Sequence, residues 1–148
     1  MRPVDFPLKG EFISSSPPET IQLGEKIGIH LKPGSIVALR GKIGAGKTVF
    51  AKGIAHALGI TEEITSPTYT IISEYQGNSL NLHHMDAYRL SGEDDFRLTG
   101  GEELLYDDSG VCVIEWPERI SLPETALYVD IEIMEDGKRH ICYGLGNQ

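Results

Sequence analysis

Eight consecutive residues limit what this chain can fold into more than any others. Gly41-Lys42-Ile43-Gly44-Ala45-Gly46-Lys47-Thr48 satisfies Gly-x-x-x-x-Gly-Lys-[Ser/Thr] at every fixed position. Residues 35–40 before it are short, mostly apolar and partly β-branched, so they read as a buried strand. After it, Val49, Phe50, Ile54, Ala57 and Leu58 supply the apolar positions of a helix that ends at Gly59. A glycine-rich turn between a strand and a helix wraps the backbone closely, because the glycines lack Cβ, and aims its N–H groups inward. Those donors and the N-terminus of the following helix form an anion cradle suited to phosphate oxygens. Lys47 is placed to reach the β- and γ-phosphates as a point charge, and the Thr48 hydroxyl can ligate Mg²⁺. All eight residues, Gly41 to Thr48, are therefore candidates for binding a nucleotide.

Length and charge set the surroundings of this loop. A chain of 148 residues suits one compact domain, here taken as 1–148. No apolar run approaches the roughly 18 residues that span a bilayer, and residues 1–9 contain no secretory apolar region, so no membrane role is expected. Cys112 and Cys142 form no metal or redox pair by spacing, and a reduced, cytoplasmic setting is expected. The net charge of −9 is unevenly spread. Eight of the 13 Lys and Arg fall in residues 1–60 with four of the 22 acids, leaving that part at +4 and the rest at −13. An anionic ligand belongs with the first part. The acidic remainder argues against broad nucleic-acid binding, which needs a basic stripe. It reads either as a solvated surface or as a face for a basic protein.

The remaining pattern indicates an α/β chain. Residues 11–13 read as a strand. Ser16, Pro17 and Glu19 fit a capping box, followed by Leu23, Ile27 and Leu31 on one helical face and a stop at Lys32-Pro33-Gly34. Residues 68–76 and 79–88 flank Gly77-Asn78 as a hairpin, and residues 92–110 suggest a short helix with loops. Residues 111–115 form a buried strand ending in Glu115, and a second hairpin turns at Asp136-Gly137. The expected fold is a single-domain P-loop NTPase with a mixed, partly parallel sheet flanked by helices.

Phosphoryl chemistry needs carboxylates as well as a cradle. Glu115, at the end of an apolar strand, is the candidate metal ligand; the alternative is a surface Glu at a loop start. Asp86 could orient or deprotonate an attacking water, or could simply cap a turn. Arg89 could neutralise phosphate charge, with an ordinary ion pair as the other reading. His83 and His84, as strand neighbours, point to opposite faces and cannot easily share a metal. Cys112 reads as a core residue, and Trp116 as either a core residue or a neighbour of the site. No Asn-Lys-x-Asp follows, and the Asp-x-x-Gly at 107–110 precedes a buried strand where a switch should follow one, so ATP is preferred to GTP.

Taken together, four blocks resemble the TsaE (YjeE) family. They are Gly41 to Thr48, Ser66-Pro67-Thr68-Tyr69-Thr70, His84-Met85-Asp86-Ala87-Tyr88-Arg89-Leu90 and Val113-Ile114-Glu115-Trp116-Pro117-Glu118. The resemblance covers about residues 16–120. It implies a small P-loop ATPase of tRNA threonylcarbamoyladenosine biosynthesis that acts with TsaD and TsaB and meets tRNA only indirectly. Carried over, Lys47 and the loop glycines bind ATP phosphates, Thr48 and Glu115 hold Mg²⁺, and Asp86 sits at the γ-phosphate. Ser66 and Thr68 fall in a nucleotide-sensitive segment, and residues 16–20 lie near the base or ribose. Lys42-Ile43 stand where the family commonly has Asp-Leu, placing a base beside the phosphates, and Val49 stands where a second Thr is common. The leading expectation is a slow, partner-dependent ATPase. A small-molecule kinase using the same loop and a nucleotide-gated module that does not hydrolyse ATP remain alternatives.

Overall fold

The computed structural model describes residues 9–65, 72–88, 90 and 92–145. In chain order the elements are β1 (Gly10–Ser14), α1 (Pro17–Gly28), β2 (Ile36–Arg40), α2 (Lys47–Ala57), β3 (Ile72–Tyr75) and β4 (Asn81–Asp86). Then come α3 (Glu93–Leu98), α4 (Gly101–Leu104), β5 (Gly110–Glu115), a 3₁₀ turn at Pro117–Arg119, β6 (Leu127–Ile133) and β7 (Arg139–Leu145). The strands form one sheet in the order β1-β7-β6-β2-β5-β4-β3. Its centre is parallel: β2 pairs with β5 and β6, and β4 with β5. Its margins are the two antiparallel hairpins, with β1 added outside β7. This is the expected single α/β unit with a mixed sheet.

Burial follows from that layout. A parallel strand needs both faces covered, and every residue of β5 is buried. One layer, α1 and α2, packs Leu23, Ile27, Phe50 and Ile54 against Val37, Leu39, Val113 and Val129. The opposite face packs Ile36, Met85 and Ile114 with Phe96 of α3 and Leu105. Helices α1 and α2 approach until their backbones nearly touch. A Cβ on Gly53 would lie 2.2 Å from the Ile21 carbonyl oxygen, so only glycine fits there.

The first helix is shorter than its apolar spacing suggests. α1 ends at Gly28, before Leu31. The chain then tightens, with the N–H groups of His30 and Leu31 donating three residues back to Ile27 and Gly28. This turn still delivers Leu31 to the core margin. The start agrees better: Ser16 accepts from the Glu19 N–H at 3.3 Å, while Glu19 returns to the Ser15 amide rather than to that of Ser16. The strand expected at 68–76 is described only from Ile72, and Ser66, Thr68 and Arg89 lie outside the described residues. No helix among the described residues is long and apolar enough to cross a membrane.

Candidate nucleotide site

The loop leaves β2 and turns back on itself, the Ala45 N–H donating to the Lys42 carbonyl. Gly46 then caps α2 at φ 113°, a left-handed conformation that an L side chain rarely adopts. No side chain caps α2 and no acid occupies its first turn, so the positive end of the helix faces the loop. The dipole of an 11-residue helix adds to that positive end.

Two carboxylates face this end because of strand register. Asp86 and Glu115 are paired neighbours at the C-terminal ends of β4 and β5, and Leu39, just before the loop, pairs with Glu115 on its other side. Thr48 donates to Glu115 Oε2 at 3.2 Å. Lys47, Thr48, Asp86, Tyr88, Glu115 and Trp116 line a hollow of about 380 Å³ together with the loop. A second hollow of about 220 Å³ adjoins it across Gly44 and Gly46, between residues 14–20 and Arg139.

The electrostatics are those of a sheltered site. Lys47 is only 6% exposed. Burial lowers its pKa, opposed by the negative charges of Glu115 and Asp86. Its ammonium donates to the Gly41 carbonyl and lies 3.7 Å from the centre of the Trp116 ring. Burial raises the Asp86 pKa, and the neighbouring Glu115 raises it further against the Tyr88 N–H that donates to Asp86 Oδ1 at 2.9 Å. A raised pKa makes this carboxylate a better proton acceptor than an ordinary Asp. Thr48 and Glu115 offer two hard oxygens side by side, a donor pair that fits Mg²⁺.

Two contributors, His84 and Arg139, were not evident from the sequence, and a third, Trp116, was left open by it. His84 is fully buried and its Nε2 lies 2.7 Å from Glu115 Oε2, fixing that carboxylate from beneath. The only available signal was alternation: His84 and Asp86, two apart on β4, share a face. Trp116, left open between core and site, lies in the site, and it is the one non-glycine residue with positive φ among the described residues (59°). Such a conformation costs on the order of 1–2 kcal/mol and is held here by the turn that places the indole over Lys47. Arg139, from β7, donates to the Ala45 carbonyl at 2.9 Å and the Gly44 carbonyl at 3.2 Å, bracing the loop from 94 and 95 residues away in sequence.

Other residues separate from this group. His83 points to the opposite face and meets Asp107 at 3.0 Å and Glu74 at 3.3 Å. Asp107 closes a turn by accepting from the Ser109 N–H, so the Asp-x-x-Gly there is a local turn device. Cys112 lies in the core, where burial pushes its thiol up to about 12. Lys42 lines a further hollow together with Arg40, Gly41 and Asp130. Ile43 is 77% exposed at the loop crest.

Comparison with known proteins agrees with this geometry. The family model described as "Threonylcarbamoyl adenosine biosynthesis protein TsaE" matches residues 14–141. A tRNA threonylcarbamoyladenosine biosynthesis protein TsaE from Treponema pallidum is 47% identical over 131 residues, covering 87% of this chain and 96% of its own. The protein of that name from Bacillus subtilis is 40% identical over 136 residues, covering 90% of this chain and 84% of its own. The crystal structure of Bacillus subtilis YdiB superposes with a TM-score of 0.75 at 34% identity, covering 94% of this chain and 86% of that one. A chain matched over nearly its whole length by family, relatives and solved fold belongs to the TsaE family of threonylcarbamoyladenosine biosynthesis proteins.

Proposed function

We propose that this TsaE-family chain binds ATP with Mg²⁺ and hydrolyses it slowly, in support of the TsaD–TsaB proteins that modify tRNA, within the cytoplasm. The observation that carries this reading is the register that sets Asp86 beside Glu115, opposite an uncapped helix end bearing Lys47 and Thr48. The loop amides and Lys47 bind and orient the phosphates. Thr48 and Glu115 hold the cation, which when bound offsets phosphate charge. His84 keeps Glu115 in place, and Asp86 accepts the proton of the attacking water. The adjoining hollow beside residues 14–20 takes the ribose or base.

This assignment favours hydrolysis over transfer to a small molecule. The two hollows account for the triphosphate and nucleoside, and the second is only about 220 Å³. Lys47 also rests against Gly41 and Trp116, so binding must exchange those contacts for phosphate contacts. Turnover is then expected to depend on a protein partner that stabilises the exchanged state. The test is steady-state hydrolysis of Mg²⁺-ATP by the purified chain, alone and with TsaD and TsaB. Slow turnover stimulated by the pair supports the reading. Fast turnover alone, or phosphate transferred to a metabolite, rejects it.

A further inference from the structure

The sheet carries a second cluster of chemistry on its other side. Helices α1 and α2 cover one face, while the layer that includes α3 packs on the opposite face over β2, β5, β4 and Ile72 of β3 and reaches Tyr128 of β6. Over β7 and β1 that opposite face carries Glu11, His140 and Cys142 beside the exposed Ile13. Glu11 of β1 is paired directly with Cys142 of β7, and His140 lies two residues along β7 on the same face. The Oε2 of Glu11 is 2.6 Å from Nε2 of His140, and Cys142 Sγ is 3.7 Å from that same nitrogen. One ligand atom from each of the three lies within 4.8 Å of the others. The contact between Glu11 and His140 needs no thiol, so the sulfur is the member that this contact does not explain.

We propose that Glu11, His140 and Cys142 form a binding site for a zinc-type divalent cation, with its fourth position open to solvent. A thiolate, an imidazole and a carboxylate suit borderline-soft Zn²⁺ rather than Mg²⁺, which prefers oxygen alone. Tetrahedral zinc with ordinary bond lengths sets its ligand atoms about 3.4–3.6 Å apart. The sulfur–nitrogen distance of 3.7 Å already fits that spacing. The oxygen must retreat by under about 1 Å, and the Glu11 side chain, 68% exposed, is free to do so. Burial holds the Cys142 thiol above its usual pKa, and Glu11, Asp130 and Glu132 add to the effect. Glu11 and Glu132 attract a cation, while the Asp130 charge is taken up by Arg40 at 2.6 Å. Binding replaces the thiol proton with the metal and releases that proton to solvent. A cavity of about 430 Å³ lined by Glu11, Arg40, Tyr128, Asp130 and Cys142 gives the ion and its water access. The bound ion clips the edge strand β1 to β7.

The test uses the full chain, stripped of metal by a chelator, kept reduced and free of nucleotide. It is titrated with Co²⁺ as a spectroscopic probe and then with Zn²⁺. One Co²⁺ per chain should produce a thiolate-to-cobalt charge-transfer band that Zn²⁺ removes. Cys142→Ser should abolish the band, and His140→Gln and Glu11→Gln should each weaken Zn²⁺ binding at least roughly tenfold. None of the three side chains is in the core, so circular dichroism of each variant should match the parent. Zn²⁺ should also raise the thermal midpoint of the parent but not of Cys142→Ser. The proposal fails if no charge-transfer band forms at saturating Co²⁺ or if the band survives Cys142→Ser. It fails equally if both carboxylate and imidazole variants bind Zn²⁺ like the parent.

Discussion

Helices α1 and α2 lie against each other, yet their N-termini are finished in opposite ways. α1 is closed by its own sequence: Ser16 accepts from the Glu19 N–H, Pro17 and Pro18 carry no N–H to satisfy, and the Glu19 carboxylate ties back to the Ser15 amide just outside the helix. α2 is closed by nothing of its own. A left-handed Gly46, a desolvated Lys47 and a buried pair of Glu115 and His84 surround its open end instead. The lesson is that a helix end without a side-chain cap persists where the fold places buried polar groups around it, and that such an end can then serve a ligand. The same chemistry satisfied locally, as in α1, contributes only stability.

The largest expected effect is on the open end. Lys47→Ala should weaken Mg²⁺-ATP binding roughly a hundredfold, or ~2.7 kcal/mol, with the fold retained. Calorimetry alongside circular dichroism checks this, and an unchanged affinity would break the contrast between the two helices. Next, His84→Ala should cost about 2 kcal/mol of stability, because it leaves the buried Glu115 carboxylate short of a hydrogen bond. His83→Ala, whose partners are more exposed, should cost about half as much. Urea unfolding of the two variants compares them, and equal losses would mean that Glu115 does not depend on His84.

The closed end should respond through stability alone. Ser16→Ala should cost about 1 kcal/mol in urea unfolding, while moving nucleotide affinity far less than Lys47→Ala does. A larger effect on binding than on stability would show that α1 also serves the ligand directly. The smallest effect concerns pH. Burial raises the Asp86 pKa, so between the ordinary carboxylate value and the raised one the folded chain holds a proton that the unfolded chain releases. Stability therefore gains as pH falls through the raised value, and the gain is complete below the unfolded value. Asp86→Asn keeps an acceptor for the Tyr88 N–H but lacks this slope. Unfolding midpoints of both proteins across the acidic range should converge on acidification, and parallel curves would show that Asp86 is not desolvated.

Much of the site was readable because its signals are local. Gly41 to Thr48 lie in one run, and their conformation follows from glycine sterics and the adjoining strand and helix. Ser16 and Glu19 are equally local, as are the hairpin turns. Glu115 and Asp86 were readable as strand-end carboxylates, but not as neighbours, since nothing in either segment states which strands pair. The end of α1 was misjudged because Leu31 keeps the apolar spacing while the backbone has already tightened after Gly28.

What the sequence determined by itself was the strand–loop–helix unit and the glycine-rich turn that leads Lys47 and Thr48 into the start of α2, because those depend on residues within a few positions of one another. Tertiary structure alone decided that β4 lies beside β5, that His84 supports Glu115, that Trp116 covers Lys47 and that Arg139 braces the loop. It also decided that Glu11 meets His140 and Cys142 across 129 residues of chain. Each of these joins segments whose pairing is fixed by the burial of a whole sheet face, a property of the assembled core rather than of any one stretch of it.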